Sequence, residues 1–157
     1  MDDITLARAL HVLAVIHWIG GLAFVTLIIL PLARSRHSAE EALALFESVE
    51  RRFSKQVRIS IPLVGATGFW MTYRLDLWNR FVDPDFWWMG SMLGLWLAFM
   101  LMLFVVEPLL LTRFANRARR DPAGTIRRMC RLHQFLLLFA AFTAFGAVAG
   151  VHGFNFL

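Results

Sequence analysis

The sequence predicts an all-α integral-membrane protein, an antiparallel four-helix bundle, on three observations. The 157 residues are 59% hydrophobic with a mean hydropathy of +0.61, more apolar surface than a soluble domain of this size can hide. Four apolar runs recur along the chain, each able as a helix to cross a hydrocarbon core of roughly 30 Å. Basic residues gather in the first and third connections between those runs, the bias that fixes membrane orientation.

The first run, residues 4–32, spans roughly 40 Å as a helix and carries His11 and His17. Its acidic start, its length and its two histidines argue against a cleaved signal peptide. Residues 38–55 alternate charges with Leu43, Leu45, Phe46 and Val49. This amphipathic pattern suits a solvated connector, preferred here to an interfacial helix or an extension of the next span.

The second run, residues 57–73, contains Pro62 and the small residues Gly65, Ala66 and Gly68, which permit close helix approach. A short polar connection follows, crowded by Trp78, Trp87 and Trp88, side chains that favour the membrane interface. The third run, residues 86–112, ends near Glu107 and Pro108, and the proline should bend or loosen its last turn. The fourth, residues 132–156, starts beside Arg127, Arg128 and Arg131 and carries His133 early and His152 late. No repeat or boundary divides residues 1–157, so a single domain is expected.

The first connection holds Arg34, Arg36, Arg51, Arg52, Lys55 and Arg58; the third holds Arg113, Arg117, Arg119, Arg120, Arg127, Arg128 and Arg131. Both belong on the cytoplasmic side, with both termini on the non-cytoplasmic side of a bacterial inner membrane. The formal charge of +5 is thereby explained by orientation, not by nucleic-acid binding. The lone cysteine, Cys130, excludes an internal disulfide, a CxxC pair and a CxxCH site for covalent haem.

Histidine within hydrocarbon needs a reason. With Trp18 and Thr143 taken as the midpoints of their spans, His11 and His152 lie roughly 10 and 13 Å outside the midplane. Two imidazoles at one level on different helices suit haem b, whose iron takes one nitrogen on each face. His11 and His152 are therefore the expected ligands, between the first and fourth helices. Arg8, one turn before His11, and Arg74 are the expected propionate partners. His17, nearly central, is an alternate ligand, the site of a second haem or a proton relay. His133 is a further alternate, read in the first place as an interfacial group. The competing reading makes these histidines structural, satisfied by one another or by carbonyl groups. Glu107 is expected to pair with Arg34, Arg58 or Arg131, with a proton-relay carboxylate as the alternative. Six scattered methionines, Met71, Met89, Met92, Met100, Met102 and Met129, raise copper as an alternative cofactor, but core filling accounts for most of them.

The first span, LHVLAVIHWIGGLAF, resembles the opening helix of CopD-type copper-resistance membrane domains, where a histidine precedes a Trp-x-Gly-Gly pattern, here Trp18, Gly20 and Gly21. That resemblance implies copper transport or tolerance. The overall plan is similar to that of HemJ-type protoporphyrinogen oxidases, small four-span haem-binding proteins whose first helix carries a Leu-His pair, here Leu10 and His11. ERRFSKQV before the second span is loosely similar as well. The third-span His and Lys of the HemJ-type pattern are not matched: that region reads WWMGSMLGLW, and the one lysine is Lys55.

The expectation is a membrane-embedded b-type cytochrome with at least one haem, passing electrons to a quinone or a protein redox partner and surrounded by lipid. If it is an enzyme, it is an oxidoreductase. Copper handling, HemJ-like oxidation and a structural subunit are the alternatives. Gly90 with Gly94, and Gly146 with Gly150, are candidate contacts of a homodimer.

Overall fold

The protein is described by a computed structural model covering residues 2–109, 116, 118 and 120–152. Four long helices account for most of it: α1 (Asp3–Arg34), α2 (Ala39–Arg74), α3 (Pro84–Leu109, entered through a 3-10 turn) and α4 (Pro122–Val151). No strand occurs among the described residues. The ends expected at residues 112 and 156, with Gly153, Arg113, Arg117 and Arg119, lie outside the described residues.

Each helix starts on a side-chain oxygen that accepts from an orphan amide of its first turn. Asp2 accepts from Ile4 N at 3.3 Å, Ser38 from Glu41 N at 3.1 Å, Asp83 from Asp85 N at 3.0 Å and Asp121 from Gly124 N at 2.8 Å. The Asp121 cap, with Pro122 at the first helical position, starts α4 ten residues before the apolar run begins at residue 132. At the other end of α2, Asp76 adopts φ 51°, the left-handed conformation that closes a helix.

One expectation about boundaries is corrected and another holds. The amphipathic stretch 38–55 is not a separate connector: it is the first half of α2, which runs unbroken for 36 residues through Pro62. Its apolar residues explain this, because Ala42 and Phe46 pack with Val25, Leu30, Ala33, Ile126 and Cys130 in one buried cluster. The last turn of α3 is loosened as Pro108 predicts, and α1 shows the same device. π turns cover Val25–Ile29 and Met102–Val106, each ending two residues before a proline. Leu30 N bonds to Val25 O and Glu107 N to Met102 O, a wider turn that leaves room for the following pyrrolidine ring.

The pairing of the helices can be read from their contacts. Asp3 meets Arg74, His11 meets Val64, and His17 meets Ser60, so α1 and α2 run antiparallel. Trp96 Nε1 donates to Ile61 O at 2.8 Å, and Ser54 Oγ lies 3.2 Å from Glu107, so α2 and α3 do likewise. A second buried cluster joins the four helices through Ala14, Trp18, Ile61, Val64, Leu95, Leu103 and Ala140.

Outward, the surface is apolar. Leu13, Ile16, Phe135 and Leu138 are each more than 60% exposed, and no more than a third of the most apolar window of α1, α3 or α4 is buried. These three helices are long and apolar enough to cross a membrane, and such a surface suits lipid better than water.

Candidate functional site

Polar residues on α2 determine how the α1 histidines are held. Gln56, Ser60 and Thr67 fall at steps of four and seven residues, on one helical face. His11 sits at the outer end of this stripe, outward being toward the Asp3–Arg74 pair, half-buried, with Nδ1 3.0 Å from Val64 O and 3.0 Å from Thr67 Oγ1. A carbonyl can only accept, so Nδ1 carries the proton. The Thr67 hydroxyl directs its own hydrogen to Leu63 O at 2.6 Å and accepts from the ring. Nε2 is left with its lone pair and no partner among the described residues. A Cβ at Gly68 would stand 3.3 Å from His11 Cε1, so the bare backbone there lets the ring lie close to α2.

His17 is held differently. Its Nδ1 lies 3.2 Å from Ser60 Oγ and its Nε2 3.2 Å from Gln56 Oε1. Nε2–H donates to the amide oxygen and Nδ1 accepts from the hydroxyl, so both nitrogens are occupied. The ring is exposed on the outside of the α1–α2 seam and lies 6.1 Å from the Phe53 ring.

The two histidines of α4 each place Nδ1 on the carbonyl one turn back: His133 on Met129 O at 2.9 Å, His152 on Val148 O at 2.8 Å. His133 corrects the interfacial expectation. It is buried, with the edge of its ring against Phe46 at 5.5 Å, because α4 begins ten residues before the apolar run and carries it into the packed end of α2. His152 is the exposed C-cap of α4.

No hydrogen bond or ring contact joins His11 to His152. The contacts of α3 give their levels: Trp96 packs on Gly65, while Trp88, roughly 12 Å outward along α3, packs on Gly150. His152 therefore lies outward of the level at which His11 meets Val64. Of the two arginines beside the outer end, Arg74 pairs with Asp3 at 3.3 Å, and Arg8 is exposed with no partner among the described residues.

At the opposite end, Glu107 takes Arg58 from its three expected partners, at 3.2 Å. Arg58 also donates to Leu103 O at 3.4 Å, and Ser54 donates to the same carboxylate. Glu50, one turn before Ser54 on α2, is pushed up to about 7 by burial first, then by the charges of Glu107 and Glu47. Sequence reading passed over Glu50, Ser54, Gln56, Ser60 and Thr67. For Gln56, Ser60 and Thr67 the signal was their spacing of four and seven residues, which sets them on one face of α2.

Among the described residues, no group of three or more His, Cys, Asp or Glu side chains could hold a metal ion together. As a single donor His11 fits haem, which needs one imidazole nitrogen per face, because its Nε2 is uncommitted and its Nδ1 is anchored in the way that orients ligating imidazoles. The fold and these sites define a class: a helical protein with three helices apolar enough to cross a membrane and a histidine-bearing seam between its first two helices. The chain matches no protein-family model, no curated protein and no solved structure.

Proposed function

We propose that this is an integral-membrane haem b protein that carries electrons within the bilayer, with His11 as one axial ligand. One observation supports it above the rest: Nδ1–H of His11 is spent on Val64 O and Thr67, which leaves Nε2 as a neutral, oriented donor beside the glycine backbone of Gly68. Haem supplies a one-electron iron couple when bound. The chain fixes the imidazole plane and keeps water away with the apolar wall of Ala14 and Val64. Arg8, one turn outward, offers a cation to a propionate. His152, whose Nε2 is also uncommitted, is the proposed second ligand, and it would have to reach the iron from outward of the His11 level. In this reading residues 57–73 of α2 form the second of four spans, with both termini outside a bacterial inner membrane.

The test is the absorption spectrum of the detergent-purified protein after hemin loading, oxidised and then dithionite-reduced. A Soret band with sharp reduced α and β bands, lost in His11→Ala, is expected. A wild-type protein that takes up no hemin overturns the proposal.

A further inference from the structure

Two open grooves run end to end along the outside of the α1–α2 seam and share Gln56. One, of about 390 Å³, is walled by Leu10, Leu13, Ile59 and Leu63 and has His17 on its floor. The other, of about 210 Å³, lies further toward the C-terminal end of α1, among Gly21, Phe24, Phe53 and Arg52. From Leu10 to Phe24 they follow α1 for roughly 20 Å.

The seam is apolar except for a few donors. His17 donates to the Gln56 side-chain oxygen, and the exposed amide keeps two N–H groups that have no partner among the described residues. Arg52 is one turn away on α2, exposed and likewise without a partner there. Two donor groups one helical turn apart, beside the Phe24 and Phe53 rings and open to lipid, call for a lipid-soluble molecule with two acceptor oxygens across a flat ring. The apolar groove continuing past Leu13 and Ile59 suits the chain such a molecule carries. A phospholipid, its phosphate on Arg52 and an ester carbonyl on Gln56, has no ring to lie beside Phe24 and Phe53 and is the competing occupant that the test distinguishes.

We propose that the α1–α2 groove binds an isoprenoid quinone, its ring oxygens on Gln56 and Arg52, its ring beside Phe53 and its tail along Leu13, Ile59 and Leu63. This rests on the redox reading above and supplies its lipid-soluble partner, but its two donors, Gln56 and Arg52, take no part in holding haem.

Photolabelling of the full-length protein in detergent with an azido-quinone, with decylubiquinone as competitor, tests it. Label is expected on peptides covering residues 10–24 and 49–63, displaced by decylubiquinone. Gln56→Leu and Arg52→Leu should each lower labelling by roughly tenfold, the loss of about 1.4 kcal/mol. Ile59→Trp, which fills the tail groove without touching the donors, should lower it too, and it serves where a donor variant fails to fold. Label elsewhere, labelling unchanged in all three variants, or equal displacement by phosphatidylglycerol vesicles overturns the proposal. The hemin spectrum is recorded on the same samples. Quinone labelling without hemin uptake would leave the groove standing and sink the haem reading, and the reverse result would do the opposite.

Discussion

Nδ1 of His11 lies 3.0 Å from the main-chain oxygen of Val64, so a residue of the first helix has its tautomer set by the backbone of the second. Thr67 adds a second acceptor at 3.0 Å. A main-chain acceptor cannot be removed by a side-chain substitution, whereas the hydroxyl can. Thr67→Val is therefore expected to keep the haem spectrum while weakening hemin retention by roughly tenfold, the low end of the range for a residue that orients a metal ligand, because the Val64 carbonyl remains. His11→Ala and His152→Ala should each abolish low-spin haem, and His17→Ala and His133→Ala should retain it. Equal hemin retention in Thr67→Val and wild type would show that the hydroxyl does not orient the ring.

Thr143 is 2% exposed, and its Oγ1 has no hydrogen-bond partner among the described residues. A buried hydroxyl without a partner costs on the order of 1–3 kcal/mol. Thr143→Val keeps the shape and removes the polar atom, so thermal unfolding in detergent should show a gain of about 1 kcal/mol. A loss of stability would mean that a buried water serves the hydroxyl.

Arg58 and Glu107 stand 3.2 Å apart on α2 and α3, with Ser54 on the same carboxylate. Both side chains are more than a third exposed, but beside a lipid-facing surface the pair is screened less than one in water. A double-mutant cycle with Arg58→Met and Glu107→Gln should return a coupling above the ~1 kcal/mol ceiling typical of exposed pairs. Coupling near zero would make the pair incidental.

Glu50 gives the fold a pH dependence of definite sign. Burial, then Glu107 and Glu47, carry its carboxyl from an ordinary value of 4.5 to about 7. Between those values the folded protein holds a proton that the unfolded chain has released, so stability falls as the pH rises. The contribution is complete at and below the unfolded value and is lost on passing through the folded one. Unfolding temperatures should decline from about pH 5 to about pH 8, and Glu50→Gln should flatten that decline. An unchanged slope in the variant would assign it to another group.

Much of the fold was legible in the chain because its signals are local. Pro108 foretold a loosened turn that appears as a π turn at Met102–Val106, whereas the caps Asp2, Ser38, Asp83 and Asp121 went unread although they are residue types that accept from orphan amides. The stretch 38–55 was misread as a connector because its partners are distant in sequence. Ala42 and Phe46 are buried by Val25, Ile126 and Cys130, and nothing near residue 42 announces them. His133 was misjudged for the same reason, since Phe46 lies 87 positions away from it.

By itself, the sequence determined helices, their exposed apolar surface and the polar residues that interrupt it, because these follow from composition and from periods of three and four residues. Only the tertiary structure decided what each histidine touches. A depth count along α1 and α4 places residues by level alone, whereas a hydrogen bond also requires facing sides. It is α2, with its polar stripe turned toward α1, that holds His11 at Val64 and His17 at Gln56 and Ser60.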